Sequence, residues 1–433
     1  MVPALMTSTA ARPGRTDPQT SPAHFGWAVF ALSMGGFAIG TTEFVTMGLL
    51  PEIADGMDVS IPKAGHVISA YALGVVIGAP VLAFLGARLP RRALLTGLMG
   101  AFVLGNALSA LATSHGMLTA ARFFSGLPHG AYFGVASLVA ANLAAPGRRG
   151  RAVALVMLGL SIANVIGVPV ATWLGQGVGW RAAYWLVTVL GLLTVALVLW
   201  FVPSTPGDPE QSGRRELAAF SRAQVWLTLL AGAIGFGGMF AVYSYIAPTL
   251  TEVGGLSDGA VPWFLFAFGL GMTVGTWLAG ELADWSVFGS LFLGSIGTFV
   301  VLGAFALLAP AGWWALPTVF GITVLGSVLV VNLQLRLMTV AGDAQTLGAA
   351  MNHAALNVAN ALGAWLGGLV IAAGWGYRSP ALAGMGLAAA GTLVLLASQR
   401  LERRSPSSSG QAAGPATAAG AASEPAAAQP DHA

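Results

Sequence analysis

Cysteine is absent and charge is scarce. Only 8% of the 433 residues are charged, where a soluble domain carries about 25%. Without cysteine there is no disulfide, no thiolate metal site and no cysteine nucleophile. With so little charge the chain has no surface able to keep it dissolved, which excludes soluble enzymes, nucleic-acid-binding proteins and disordered scaffolds. A phosphate-cradling loop of the Gly-x-x-x-x-Gly-Lys-Ser/Thr type is also missing, so no motif of that kind points to nucleotide hydrolysis. The six histidines (His24, His66, His115, His129, His353, His432) are scattered. They form no cluster pointing to a metal, a cofactor or an integral-membrane enzyme.

What is present is apolar: 56% hydrophobic residues and a mean hydropathy of +0.77. Twelve runs are long enough to cross about 30 Å of hydrocarbon. They lie near 26–50, 64–86, 93–113, 117–143, 152–174 and 181–203, then 224–250, 260–283, 288–310, 312–336, 346–373 and 379–399. The runs are continuous rather than alternating and too long for barrel strands. The expected fold is therefore an all-α membrane protein with twelve transmembrane helices. Residues 1–25 read as a polar tail, 26–203 as one six-helix half, 204–223 as a linker and 224–400 as a second half. Residues 401–433, rich in Ser, Ala, Pro and Gly, read as a disordered tail.

Basic residues set the orientation. Fifteen of the 19 Lys and Arg lie in the tails and loops of one side, three (Lys63, Arg181, Arg378) lie on the other, and Arg122 is within a span. By the positive-inside bias both termini are expected in the cytoplasm. The net charge of +3 thus reflects loop placement and not a nucleic-acid partner. Nine of the 13 tryptophans (Trp27, Trp180, Trp200, Trp226, Trp263, Trp285, Trp313, Trp314, Trp375) fall at span ends, as interfacial belts do.

The halves repeat at one offset. Pro51 and Pro248 close equivalent spans, Gly74 and Gly78 match Gly271 and Gly275, and Gly179-Trp180-Arg181 matches Gly376-Tyr377-Arg378. Ala163-Asn164-Val165-Ile166-Gly167 likewise matches Ala359-Asn360-Ala361-Leu362-Gly363. Two parallel six-helix repeats with a site between them are the arrangement of the major facilitator transporters.

The motifs agree. Gly40-Thr41-Thr42-Glu43-Phe44, Gly48-Leu49-Leu50-Pro51-Glu52-Ile53-Ala54 and Arg122-Phe123-Phe124-Ser125-Gly126-Leu127-Pro128-His129-Gly130-Ala131 resemble bacterial twelve-helix drug:proton antiporters of that superfamily. The first half is most similar to arabinose-efflux-type permeases, and Gly342 to Asn360 also resembles chloramphenicol exporters. The resemblance covers about residues 26–400. It implies a proton-coupled exporter in the bacterial plasma (inner) membrane, working as a monomer by alternating access. Its partners would be protons, lipid and a small organic substrate, with no cofactor and no enzymatic activity. Drug efflux is the favoured reading, sugar or metabolite efflux the alternative and a non-transporting sensor the remote one.

The resemblance also implies roles. A charge within the bilayer costs about 2.5–3.5 kcal/mol on insertion scales, and Glu43 and Arg122 stand out as intramembrane charges. Both sit in the outer half of their spans, which line one cavity in this fold. Pairing is expected, with Glu43 exchanging protons and Arg122 tuning it; burial favours the neutral acid and a nearby arginine the anion. A static ion pair is the other reading. His129 shares a helical face with Arg122 and Ser125. His353, Asn357 and Asn360 form a second polar stripe, with Asn164 the repeat partner of Asn360. Tyr71 and its repeat partner Phe268, with Tyr243, Tyr245 and Trp263, are candidate apolar walls. These polar and aromatic residues line the cavity or only bridge helices. The family's 2–3 loop usually reads Gly-x-Leu-Ala-Asp-Arg-x-Gly-Arg-Arg and latches the halves. Here Ala83, Ala87 and Pro90 replace two glycines and the aspartate, while Arg88, Arg91 and Arg92 remain, either to face the second half or only to enforce topology. In the second half Gly280-Glu281-Leu282-Ala283-Asp284 fits but Trp285 replaces the arginine. Gly159, Gly167, Pro169 and Gly175 resemble the antiporter signature of span 5, where a proline bends the helix.

Overall fold

The computed structural model describes residues 22–59, 61–204 and 218–404. Most of the expected N-tail, the centre of the linker and nearly all of the C-tail lie outside the described residues. Twelve membrane-length helical segments carry the chain. In the first half they are α1 (Pro22–Gly48), α2 (His66–Gly86), α3 (Arg91–Ala110), α4 (His115–Leu143), α5 (Arg149–Val178) and α6 (Trp180–Phe201). In the second half they are α7 (Ala223–Ser244), α8 (Val261–Trp285), α9 (Val287–Leu308), α10 (Leu316–Val340), α11 (Gln345–Val370) and α12 (Ser379–Arg404). Ten apolar segments have the length and hydropathy of a membrane span. One of them, Val287–Val340, contains both α9 and α10, and α4 is the helix not among the ten. No strand occurs among the described residues.

The repeat seen in the sequence is a repeat of packing. α2 lies on α4 because Gly74 and Gly78 let the backbones touch: a Cβ there would meet the Phe123 carbonyl oxygen at 2.3 Å and the Leu127 carbonyl oxygen at 2.0 Å. α8 lies on α10 in the same way, Gly271 against the Phe320 carbonyl (2.5 Å) and Gly275 against the Val324 carbonyl (2.3 Å). Without a hydrophobic drive between helices in lipid, such close approach is what holds them. Each half has an apolar core, built on Leu32, Ile39, Phe102 and Tyr132 in the first. The core of the second half, around Phe264, Leu302 and Leu333, also takes in Val153 and Met157 of α5. The halves therefore pack as one body in this state.

Three details differ from the sequence reading. The bend of α5 is a π-helical turn, Ala163–Gly167, placed just before Pro169. Proline has no N–H to give the preceding turn, and the wider turn accommodates that loss before the helix resumes. Gly167 faces α1 within this turn, where a Cβ would sit 2.2 Å from the Thr41 hydroxyl. Eight of the nine end-of-span tryptophans are exposed, but Trp180 is buried, edge-on to Tyr184 with Arg181 stacked 4.3 Å above it. Finally, α12 continues past residue 400 to Arg404. Its last turns carry Glu402, whose two carboxylate oxygens accept from Nη1 and Nη2 of the buried Arg336, each at 2.9 Å.

Candidate functional site

Arg122 on α4 is completely buried, and α1 and the surrounding aromatics hold it. Its Nη1 donates to the Thr42 hydroxyl (2.9 Å) and its Nη2 to the Thr42 carbonyl (3.2 Å). Thr42 in turn donates to Asn106 Oδ1 on α3 (2.6 Å). The guanidinium lies over the Tyr71 ring, 4.2 Å from its centre, and 5.6 Å from that of Tyr184. Cation–π contact of this kind is strongest where water is excluded. The expected Glu43–Arg122 ion pair is therefore not formed. Thr42 and Glu43 are adjacent, so their side chains leave the helix about 100° apart. Thr42 turns toward α3 and α4, while Glu43 turns into the centre of the bundle.

There it lines a cavity of about 70 Å³ between the halves, bounded by α1 and α5 on one side and α7, α8, α10 and α11 on the other. Glu43 is the one acid among the lining residues. Met157, Met239, Met272, Phe240 and Phe268 form apolar walls, and Ser161, His353, Asn357 and Asn360 add polar points. Of the expected cavity residues, Phe268, His353, Asn357 and Asn360 are in place. Tyr243 stands behind Phe268, ring centres 4.6 Å apart. Tyr71 and His129 stand behind His353: the Tyr71 hydroxyl is 3.0 Å from His129 Nδ1, and His129 Nε2 is 3.1 Å from His353 Nδ1.

Four expected positions fall elsewhere. The Ser125 hydroxyl donates to the Arg122 carbonyl (2.9 Å) and packs where α3 offers Gly105. The Asn164 amide, in the π turn, donates back to the Leu160 carbonyl of the preceding α-helical turn (3.1 Å). The Tyr245 hydroxyl donates to the Ala364 carbonyl (2.8 Å), tying α7 to α11 within one half. Trp263 is 62% exposed at the first turn of α8. Helical spacing, repeat position and residue type give a face or a depth but not the neighbour that the side chain meets.

The halves are joined at the arginine-rich end. The Gly150 amide donates to Asp284 Oδ1 (2.9 Å), Arg151 pairs with Glu281 (3.0 Å), and Arg149 donates to Gln345 Oε1 (3.3 Å). Gly280 lets α8 close on α5, since a Cβ there would be 2.9 Å from Arg151 Cα. Deeper in, the Gln334 amide donates to the Ser137 hydroxyl, and the Ser161 and Thr276 hydroxyls meet at 2.8 Å. The motif of the second half thus grips the first turn of α5 in the first half. The reciprocal grip is apolar: Ala83 packs in one cluster with Leu337, Ala341, Ala344 and Leu347. Arg92 does not face the second half; it donates to the Leu199 carbonyl at the end of α6. Arg88 is exposed and Arg91 half-buried at the α2–α3 turn. Asp284→Ala is expected to leave the Gly150 N–H without its acceptor and favour opening at this end by about 1 kcal/mol. A cysteine placed at Gln345 should then react several times faster with an impermeant maleimide; an unchanged rate would remove Asp284 from the latch.

Twelve helices in two repeated sets, a cavity between them holding a lone acid, and a seam joining the sets at one end are the architecture of a membrane transporter. A family profile described as Major Facilitator Superfamily matches residues 32–352, and the chain belongs to that superfamily. It is 40% identical over 370 residues to the "Inner membrane transport protein YdhP" of Escherichia coli (strain K12), covering 86% of this chain and 95% of that one. It is 34% identical over 375 residues to the "Chloramphenicol resistance protein" of Streptomyces lividans, covering 85% and 94%. The fold matches the crystal structure of the Major Facilitator Superfamily transporter FucP with a TM-score of 0.71 at 15% identity, covering 87% of this chain and 99% of that one.

Sequence reasoning missed Thr42, Asn106 and Tyr184 around Arg122, and Arg149, Arg151 and Gln345 in the seam. Thr42 lay inside the quoted motif of span 1, and Asn106 is a solitary amide in an apolar span. Those were the available signals.

Proposed function

We propose that this protein is a proton-coupled antiporter of the bacterial inner membrane that exports small, largely apolar organic molecules, with chloramphenicol-type compounds favoured over sugars. Both termini and the arginine-rich end face the cytoplasm, and a single chain is the working unit. The observation that carries the reading is the placement of Glu43. It is the acid among the residues lining the central cavity, while its cationic neighbour Arg122 donates to Thr42. A carboxylate left unclamped at a substrate cavity can exchange its proton for cargo; one locked in an ion pair cannot do so cheaply. The walls of methionine and phenylalanine suit an apolar body, since methionine adapts to irregular shapes. At about 70 Å³ the cavity is far below the roughly 300–1,000 Å³ of ligand pockets. Cargo therefore enters only as the halves part, as alternating access requires.

The test uses proteoliposomes with a pH gradient imposed across the membrane. Labelled chloramphenicol is expected to accumulate against its own gradient on the acidic side, and an uncoupler should abolish this. Arabinose in the same assay decides the sugar alternative. If neither compound moves with or without the gradient, the transport reading fails and a sensor role takes its place.

A further inference from the structure

Behind the cavity wall runs a chain of buried polar groups contributed by both halves. It begins at Tyr71 on α2, passes through His129 on α4 and ends at His353 on α11. All three residues are at most 3% exposed. The direction of the chain follows from its first member. The Tyr71 hydroxyl has His129 Nδ1 as its hydrogen-bond partner, at 3.0 Å. If it accepted there, its own proton would be left without an acceptor in a buried site, and such unmade bonds are expensive. It therefore donates. His129 Nδ1 is then an acceptor, so the ring carries its proton on Nε2 and donates across the seam to His353 Nδ1 at 3.1 Å. With that nitrogen accepting, His353 carries its proton on Nε2. This last nitrogen has no protein partner and is shielded in this compact state; His353 is among the residues lining the cavity, so a substrate that enters as the halves part can reach it.

Packing fixes the ring as firmly as the hydrogen bonds do. Phe133 stacks on His353 with ring centres 4.2 Å apart and planes at 15°. On its own helix, the His353 carbonyl accepts from the Asn357 amide. Two charges stand near this chain: Arg122, lying over the Tyr71 ring, and Glu43, which lines the same cavity as His353. Residues of the first half thus orient a side chain of the second.

We propose that Tyr71, His129 and Phe133 are positioning residues. They hold His353 so that its Nε2–H is the hydrogen-bond donor displayed to the substrate. The site would select uncharged, mostly apolar molecules bearing a carbonyl, nitro or hydroxyl oxygen, and gain nothing from a cation lacking such an acceptor. This rests on the central cavity being the substrate site of the transporter proposed above, and it specifies the class of molecule taken there.

The test reads the rings and the binding separately, both without a proton gradient. Protein labelled with 15N in its histidine rings and held in nanodiscs has six imidazoles, and His129→Gln and His353→Gln assign the two of interest. Both are expected with the proton on Nε2, and Tyr71→Phe should let His353 populate the other tautomer. Chloramphenicol binding should shift the His353 Nε2–H resonance. His353→Met should weaken that binding roughly five- to tenfold, the scale of one lost hydrogen bond. His353→Gln places an amide N–H near Nε2 and should stay within about threefold on the same scale. Tetraphenylphosphonium, a cation without an acceptor oxygen, should bind all three forms alike. A proton on His353 Nδ1, a His353→Met protein that binds chloramphenicol as the parent does, or no binding of either chloramphenicol or arabinose to the parent overturns the proposal. A protein that binds through His353 but moves nothing against a pH gradient overturns only the antiport reading.

Discussion

Glu43→Gln is expected to abolish uphill transport while leaving passive exchange intact. Glutamine keeps the size and polarity of the side chain in the cavity but cannot carry a proton. A proton crossing 100 mV releases about 2.3 kcal/mol, and each pH unit adds about 1.4 kcal/mol. One-proton coupling under both forces therefore sustains a substrate gradient of about several hundredfold; the variant sustains none. Two measurements on the same liposomes separate coupling from damage. Accumulation driven by the pH gradient should fall to background, and exchange of labelled for unlabelled chloramphenicol at equal pH should continue. Full uphill accumulation by Glu43→Gln would take coupling away from this residue. Loss of exchange as well would make it a binding or folding residue.

Gly134→Val is expected to stop transport from the opposite cause, by preventing one of the two states. Gly134 lies on α4 where α11 crosses it, and a Cβ there would sit 2.5 Å from the Thr346 carbonyl oxygen and 2.9 Å from the Ala350 nitrogen. Both obstacles are backbone, so neither yields by turning a side chain. Overpacking of this kind costs about 1–3 kcal/mol. Here the cost falls only on the conformation in which the arginine-rich ends meet, which corresponds to roughly a 5- to 150-fold shift between states. Spin labels on cysteines placed at Leu143 and Gln345 read the shift as a longer distance, with no native cysteine to interfere. An unchanged distance distribution in a folded, inactive variant would refute the steric account.

The helices and the duplication were legible because lipid leaves little choice. Every span must be a long apolar run, and helices that approach closely must show glycine at the contact, as Gly74, Gly78, Gly271 and Gly275 do. The site was legible in its ingredients but not in its wiring. Depth along a span places Glu43 and Arg122 at one level, yet a single residue step turns the side chain by about 100°, and that step gives Arg122 to Thr42. The acceptor role of Asp284 escaped because its partner is the backbone N–H of Gly150, which has no letter of its own. His129 and His353, 224 residues apart, read as two unrelated polar stripes. Only the packing of one half on the other makes them neighbours. Trp180 leaves its expected belt for a buried corner, while Trp263 keeps the belt position and not the cavity wall: an amphipathic ring near a span end suits more than one setting.

The seam at the arginine-rich end is fastened by unlike materials on its two sides. On one, half-exposed charges grip (Arg151 with Glu281, side chains 46% and 43% exposed) and loosen as salt screens them. On the other, Ala83 sits in a dry cluster with Leu337, Ala341, Ala344 and Leu347, indifferent to salt and weakened by cold. Raising ionic strength at the membrane surface is therefore expected to loosen the charged edge while leaving the oily edge in contact, so that the two edges part in sequence and not together.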